Sequence, residues 1–149
     1  MNDKLLVETA VLAGEIMLVS GAEIYRVEDT INRIMRKAGK ETAEAIVFST
    51  GIFASLNDPS IEAITVARRV NGWSANLNRV YLVNDVSRKL CSDSITVEEA
   101  YSRLKEIKIT VQYRPGVKNI GVVGVAVFFT LLLGGVVKDC LAAAVTGAI

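Results

Sequence analysis

Between positions 23 and 29 the chain carries Glu23, Arg26, Glu28 and Asp29, both signs of charge close enough to serve the two ends of a zwitterion. A guanidinium offers a carboxylate paired donors, and a side-chain carboxylate accepts from an ammonium. The same residues also make an ordinary i, i+3 pair, Glu23 with Arg26, worth about 0.2–0.5 kcal/mol on a solvated helix face. Thr50, within Ser49-Thr50-Gly51, could offer a hydroxyl and backbone N–H groups at a strand end, or simply form a turn. Asn76 could reach a ligand or cap a helix. Arg68 and Arg69 could meet an acidic partner or stand exposed at a strand end. Asp139 lies in an apolar stretch, where an ionisable group is costly and often functional, yet Lys138 beside it would make a solvated loop pair equally well.

The chemistry that these residues exclude is as informative. The 149 residues include no histidine, so the chain can build neither a Ser-His-Asp or Cys-His nucleophilic site nor a histidine-ligated metal centre. No G-x-S-x-G elbow presents a serine. Gly134-Gly135 lacks the strand, lysine and hydroxyl of a phosphate loop, and no Walker A pattern supplies an ATP site. The expectation is no catalytic residue, no metal and no cofactor. Cys91 and Cys140 follow no metal or redox spacing and read as free, small apolar residues. The 17 Lys plus Arg nearly cancel the 16 Asp plus Glu, so nucleic acid is not an expected partner.

Positioning these residues falls to a chain that is 51% hydrophobic with a mean hydropathy of +0.38, apolar enough to fold. Helical spacing predicts a largely buried helix from about Asp3 to Val19, interrupted at Ser20-Gly21. A second carries Ile24, Val27, Ile31, Ile34, Met35 and Ala38 and stops at Gly39, a left-handed cap. The period then changes to two over Ala45 to Ser49, Ile52 to Leu56 and Ile61 to Val70, which predicts three antiparallel strands. Helical spacing resumes after Asn76, with Leu77, Val80, Val83, Val86 and Leu90 on one face. Thr96 and Glu99 make a capping box for a further helix. The fold class is α+β, in the order ααβββαα, over residues 1–118.

Lys108 to Lys118, with Arg114-Pro115-Gly116, reads as a connector. From Asn119 to Val137 there is no charge, and a run of about 18 or more such residues is a transmembrane candidate. Cys140 to Ile149 begins a second apolar segment, with Lys138-Asp139 as the turn between spans. Residues 119–149 are therefore expected to be a membrane segment, one span plus the start of a second. The sequence appears as the front of a longer membrane protein or a shortened one. The N-terminus lacks the basic start, apolar run and cleavage site of a signal peptide. Lys105, Lys108, Arg114 and Lys118 before the first span place the preceding domain in the cytoplasm.

Four pieces in order, Ser20-Gly21-Ala22-Glu23-Ile24-Tyr25-Arg26-Val27-Glu28-Asp29-Thr30, Ser49 to Leu56, Asn76 to Val80 with Val83-Asn84 and Ser87-Arg88, and Leu133-Gly134-Gly135 with Asp139, resemble the amino-terminal part of the threonine/serine exporter family. The resemblance implies a multi-pass inner-membrane secondary exporter of small amino acids, driven by an ion gradient, with a cytoplasmic N-terminal domain. Its implied partners are the lipid bilayer, the amino-acid substrate and a second membrane protein or downstream spans; the sequence leaves open whether copies of the chain form a homo-oligomer. It raises Glu23, Arg26, Glu28, Thr50, Asn76 and Asp139 as substrate-binding or transport residues. The rival readings are an exporter of small dicarboxylates, a membrane-tethered hydrolase-like domain and a non-transporting assembly module.

Overall fold

The computed structural model of the chain describes residues 2–40, 42–110 and 115–148. They form two compact units, Met1–Ile109 and Thr110–Ile149. The first contains α1 (Asp3–Val19), α2 (Ile24–Arg36), β1 (Thr42–Phe48), β2 (Gly51–Asp58), β3 (Ile61–Arg69), α3 (Leu77–Cys91) and α4 (Val97–Ile109), the expected ααβββαα order.

The apolar residues of α1 surround the helix instead of forming one stripe, so it must be covered on every side. It packs against α2, α3, α4, β2 and β3, and Leu6, Val7, Ala10, Val11, Ala13 and Met17 are fully buried. Gly14 lets α2 and the sheet approach: a Cβ there would fall against Ile31 Cδ1 and 3.3 Å from Ile52 Cδ1. Asn2 caps α1 by accepting from the Leu5 N–H at 3.1 Å. At the other end, Gly21 adopts φ +82°, the Gly21 N–H donates to Leu18 O and the Ala22 N–H to Met17 O. This paired left-handed closure turns the chain sharply into α2.

The narrower stripe of α2, with Val27, Ile31, Ile34 and Met35 buried, faces α1 and β1. The sheet has order β1-β2-β3, antiparallel throughout, with Ile46 opposite Phe53 and Ala54 opposite Val66. One face buries Val47, Ile52, Ala54 and Leu56, while Phe48 and Phe53 meet edge to face at 6.2 Å on the open face. The strands exceed the expected lengths at β1 and β2 because ladder pairing continues through polar residues such as Thr42 and Asn57. In α3, Val80, Val83, Val86 and Leu90 are buried as expected, but Leu77 in its first turn is 76% exposed. Thr96 caps α4 through the Glu99 N–H at 3.2 Å.

The second unit comprises α5 (Pro115–Leu132) and α6 (Val137–Gly147). The expected connector over Lys108–Lys118 is shorter: α4 runs to Ile109 and α5 opens at Pro115, the first helical position that proline favours. Residues 111–114, including Arg114, lie outside the described residues. The uncharged run is also not one helix. Gly134 at φ +84°, with the Gly134 N–H bonded to Leu131 O and the Gly135 N–H to Thr130 O, closes α5 as Gly21 closes α1. The turn is therefore Leu133–Val136, and Lys138 and Asp139 belong to the first turn of α6. Gly147 lies close to Val122, Val123 and Ala126, so the two helices pack as a hairpin. Among the described residues no helix is long and apolar enough to cross a membrane.

Candidate functional site

The Gly21 turn brings two of the resembling pieces together. The Ser74 N–H donates to Val19 O at 2.8 Å and the Asn76 N–H to Ser20 O at 3.0 Å, which fixes the start of α3 beside the start of α2. Asn76 Oδ1 then accepts from the Arg79 N–H at 3.1 Å, the cap expected of it. A groove of about 460 Å3 results, lined by Arg26 from α2 and by Leu77, Val80, Tyr81, Asn84, Asp85 and Arg88 from α3. Chemically it offers two guanidiniums, one carboxylate, one amide and a phenol above an apolar floor. Asp85 is held by Lys89 at 2.7 Å.

The other expected residues do not line this groove. Glu23 precedes α2 at its cap position without a side-chain capping bond. The Tyr25 phenol is hydrogen-bonded to Glu23, and that bond, with the Glu23 charge, raises its pKa above the ordinary 10.0. Glu28 faces β1 and accepts from the Val47 N–H at 2.9 Å. Thr50 sits in the β1–β2 turn, where its carbonyl accepts from the Val70 N–H at 2.9 Å, beside a second cleft that includes Phe48, Phe53, Arg68 and Arg69. Arg68 reaches back to Glu15 at 3.4 Å, and Lys108 binds the other oxygen of that carboxylate at 2.6 Å. Within the hairpin, Asp139 is exposed and accepts from the Val136 N–H at 2.9 Å, capping α6. The structure thus sets Arg26 in the groove, with the Asn76 cap at the start of the helix that lines it, and gives Glu28 and Asp139 backbone partners.

Tyr81, Asn84, Asp85 and Arg88 were not among the expected site residues. Tyr81, Asn84, Asp85 and Arg88 recur at i, i+3, i+4, i+7, a polar stripe flanking the apolar one, and this spacing is the signal that could have found them. Cys91, in the last turn of α3, has its thiol pKa raised above 9.0 chiefly by burial, with Arg33 and Lys37 opposing. That suits an unreactive packing residue. Among the described residues no group of three His, Cys, Asp or Glu side chains could hold a metal ion.

An α+β unit with a polar groove, followed by an apolar helical hairpin, defines the class. Residues 8–149 match the family model described as "Putative threonine/serine exporter", and the chain belongs to that transporter family. No curated protein and no solved structure matches the chain.

Proposed function

We propose that the chain is a component of an inner-membrane secondary exporter of threonine and serine, driven by an ion gradient, with its first unit in the cytoplasm. Family membership supports the substrate class. The observation that carries the site is the convergence of Arg26 with Asn84, Asp85 and Arg88, from a helix distant in sequence, on one groove. An arginine takes the substrate carboxylate, Asp85 takes the ammonium in competition with Lys89, and the Asn84 amide reaches the hydroxyl. Asn76 acts by fixing the start of α3, which frames the groove.

The hairpin supplies the lipid-facing part. Away from the contact between its two helices its large apolar residues are exposed, with Phe128 at 72% and Leu133 at 82% exposure, and no residue of α6 is buried. The uncharged 14 residues from Asn119 to Leu132 measure about 21 Å against a hydrocarbon core of about 30 Å. Lys118 and Lys138 extend to the headgroups, and the bilayer thins locally to match. A second membrane protein or further spans complete the pathway.

Isothermal titration of the detergent-solubilised full chain tests this reading. L-threonine and L-serine should bind, and Arg26→Ala should weaken threonine at least about tenfold, since a hydrogen bond to a charged group contributes about 1.5–3 kcal/mol. Absence of binding, or wild-type affinity in both Arg26→Ala and Arg88→Ala, contradicts it. Two arginines in one groove also favour a small dicarboxylate, and succinate binding more tightly than threonine would reassign the substrate.

A further inference from the structure

The first unit is polarised along its helices. Tracing the chain, the α1–α2 turn, the β1–β2 turn, the end of β3, the start of α3 and the end of α4 all lie at one end. The bonds Ser74 to Val19, Asn76 to Ser20, Val70 to Thr50 and Lys108 to Glu15 tie them together there. The opposite end gathers Asp3, Lys40, Ser60, Lys37 and Asp93, joined by the Lys40–Asp3, Lys40–Ser60 and Lys37–Asp93 contacts. Among the described residues of this unit, the exposed large apolar side chains are Ile24, Tyr25, Phe48, Trp73, Leu77, Tyr81 and Ile109, at or near the first end, and the cross-strand pair Ile46 and Phe53, one step further along the sheet. The far end has none.

We propose that this first end rests on an anionic bilayer surface, a proposal that builds on the membrane reading above. Three observations favour lipid as the occupant. The exposed residues are mainly aromatic and sit on separate turns and helix ends, Trp73 at 75% exposure and Tyr25 at 66%, the pattern that suits a headgroup boundary. The charge there complements phosphate: Arg68 and Lys108 share one carboxylate, Glu15, Arg69 beside them is exposed, and Arg26 adjoins Glu23. The polypeptide also leaves the unit at this end, at Ile109. Only five residues separate Ile109 from Pro115, at most about 20 Å of chain before the outward-facing apolar surface of α5. An amino acid held by Arg26 then lies near headgroup depth.

Trp73 is the single tryptophan and reports on this contact directly. The full chain is reconstituted in vesicles of phosphatidylcholine with phosphatidylglycerol at about 3:1, or of phosphatidylcholine alone, floated on a density gradient, and quenched with lipids brominated near the headgroup. A Trp73→Phe, Ser60→Trp double variant places the reporter at the far end, and circular dichroism verifies its fold. The expected result is flotation with Trp73 quenched at least twofold more than the tryptophan at position 60, and more strongly in the anionic vesicles. Flotation with Trp73 unquenched overturns the proposal while leaving the membrane reading intact. Trp73 shielded from aqueous iodide yet unquenched by bromolipid means that protein covers it, and equal quenching at both positions removes the orientation; either outcome overturns the proposal. Failure to float overturns the membrane reading itself.

Discussion

Asn76 and Arg26 stand on adjoining elements, yet the structure assigns them different work. Asn76 Oδ1 satisfies a helix N–H, so Asn76→Ala should lower stability by about 1 kcal/mol, read as a shift of the urea midpoint at unchanged slope. Arg26 is exposed and lines the groove, so Arg26→Ala should leave that midpoint unmoved while weakening threonine. Gly14 is the steric counterpart of these polar cases. Ile31 and Ile52, which a new methyl would meet, are fully buried, and Gly14→Ala should cost about 1–3 kcal/mol. Cys91 gives a pH dependence with a definite sign. Its folded pKa is raised, so its contribution is complete below the ordinary thiol value of 9.0 and is lost as pH rises from there through the folded pKa. The stability of Cys91→Ala should show less of that alkaline decline, measured by urea unfolding between pH 8 and pH 10.

Elements were legible in the sequence wherever one physical rule governed them. Helical period, the Asn76 and Thr96 caps and the Gly39 stop fixed α2, α3 and α4 to within a few residues, because each is a local signal. The hairpin was not, because an uncharged run carries no mark of where it folds back. Its break depends on Gly134 taking a left-handed angle, which composition alone does not require. Gly134→Val should therefore strain that turn, with loss of helicity measurable by circular dichroism in micelles. The site was half legible. Arg26 could be named from its charge, but Asp85 sits on the outer flank of an amphipathic helix, where charged residues are ordinarily only solvated. Glu28 was named for the same reason as Arg26, yet the strand it would meet lies far along the chain. Its bond to the Val47 N–H predicts that Glu28→Ala costs about 1–3 kcal/mol of stability and leaves threonine affinity intact.

At the scale of the whole molecule, the proposed function assigns the binding of a small zwitterion to the first unit and a hydrocarbon surrounding to the hairpin. The domain has its own core around α1, whereas the hairpin leaves nearly all its large apolar side chains uncovered. This division explains why the charges of the sequence stop almost completely at Lys118. Under the proposed function, export begins at the groove, which captures substrate before it enters a membrane pathway. The most direct test loads native cells with labelled threonine and compares its efflux when they carry the wild-type chain, no chain, or Arg26→Ala at matched protein levels. The account predicts fast efflux with the wild type and a return to the chain-free rate with the variant. Identical efflux in all three would contradict it.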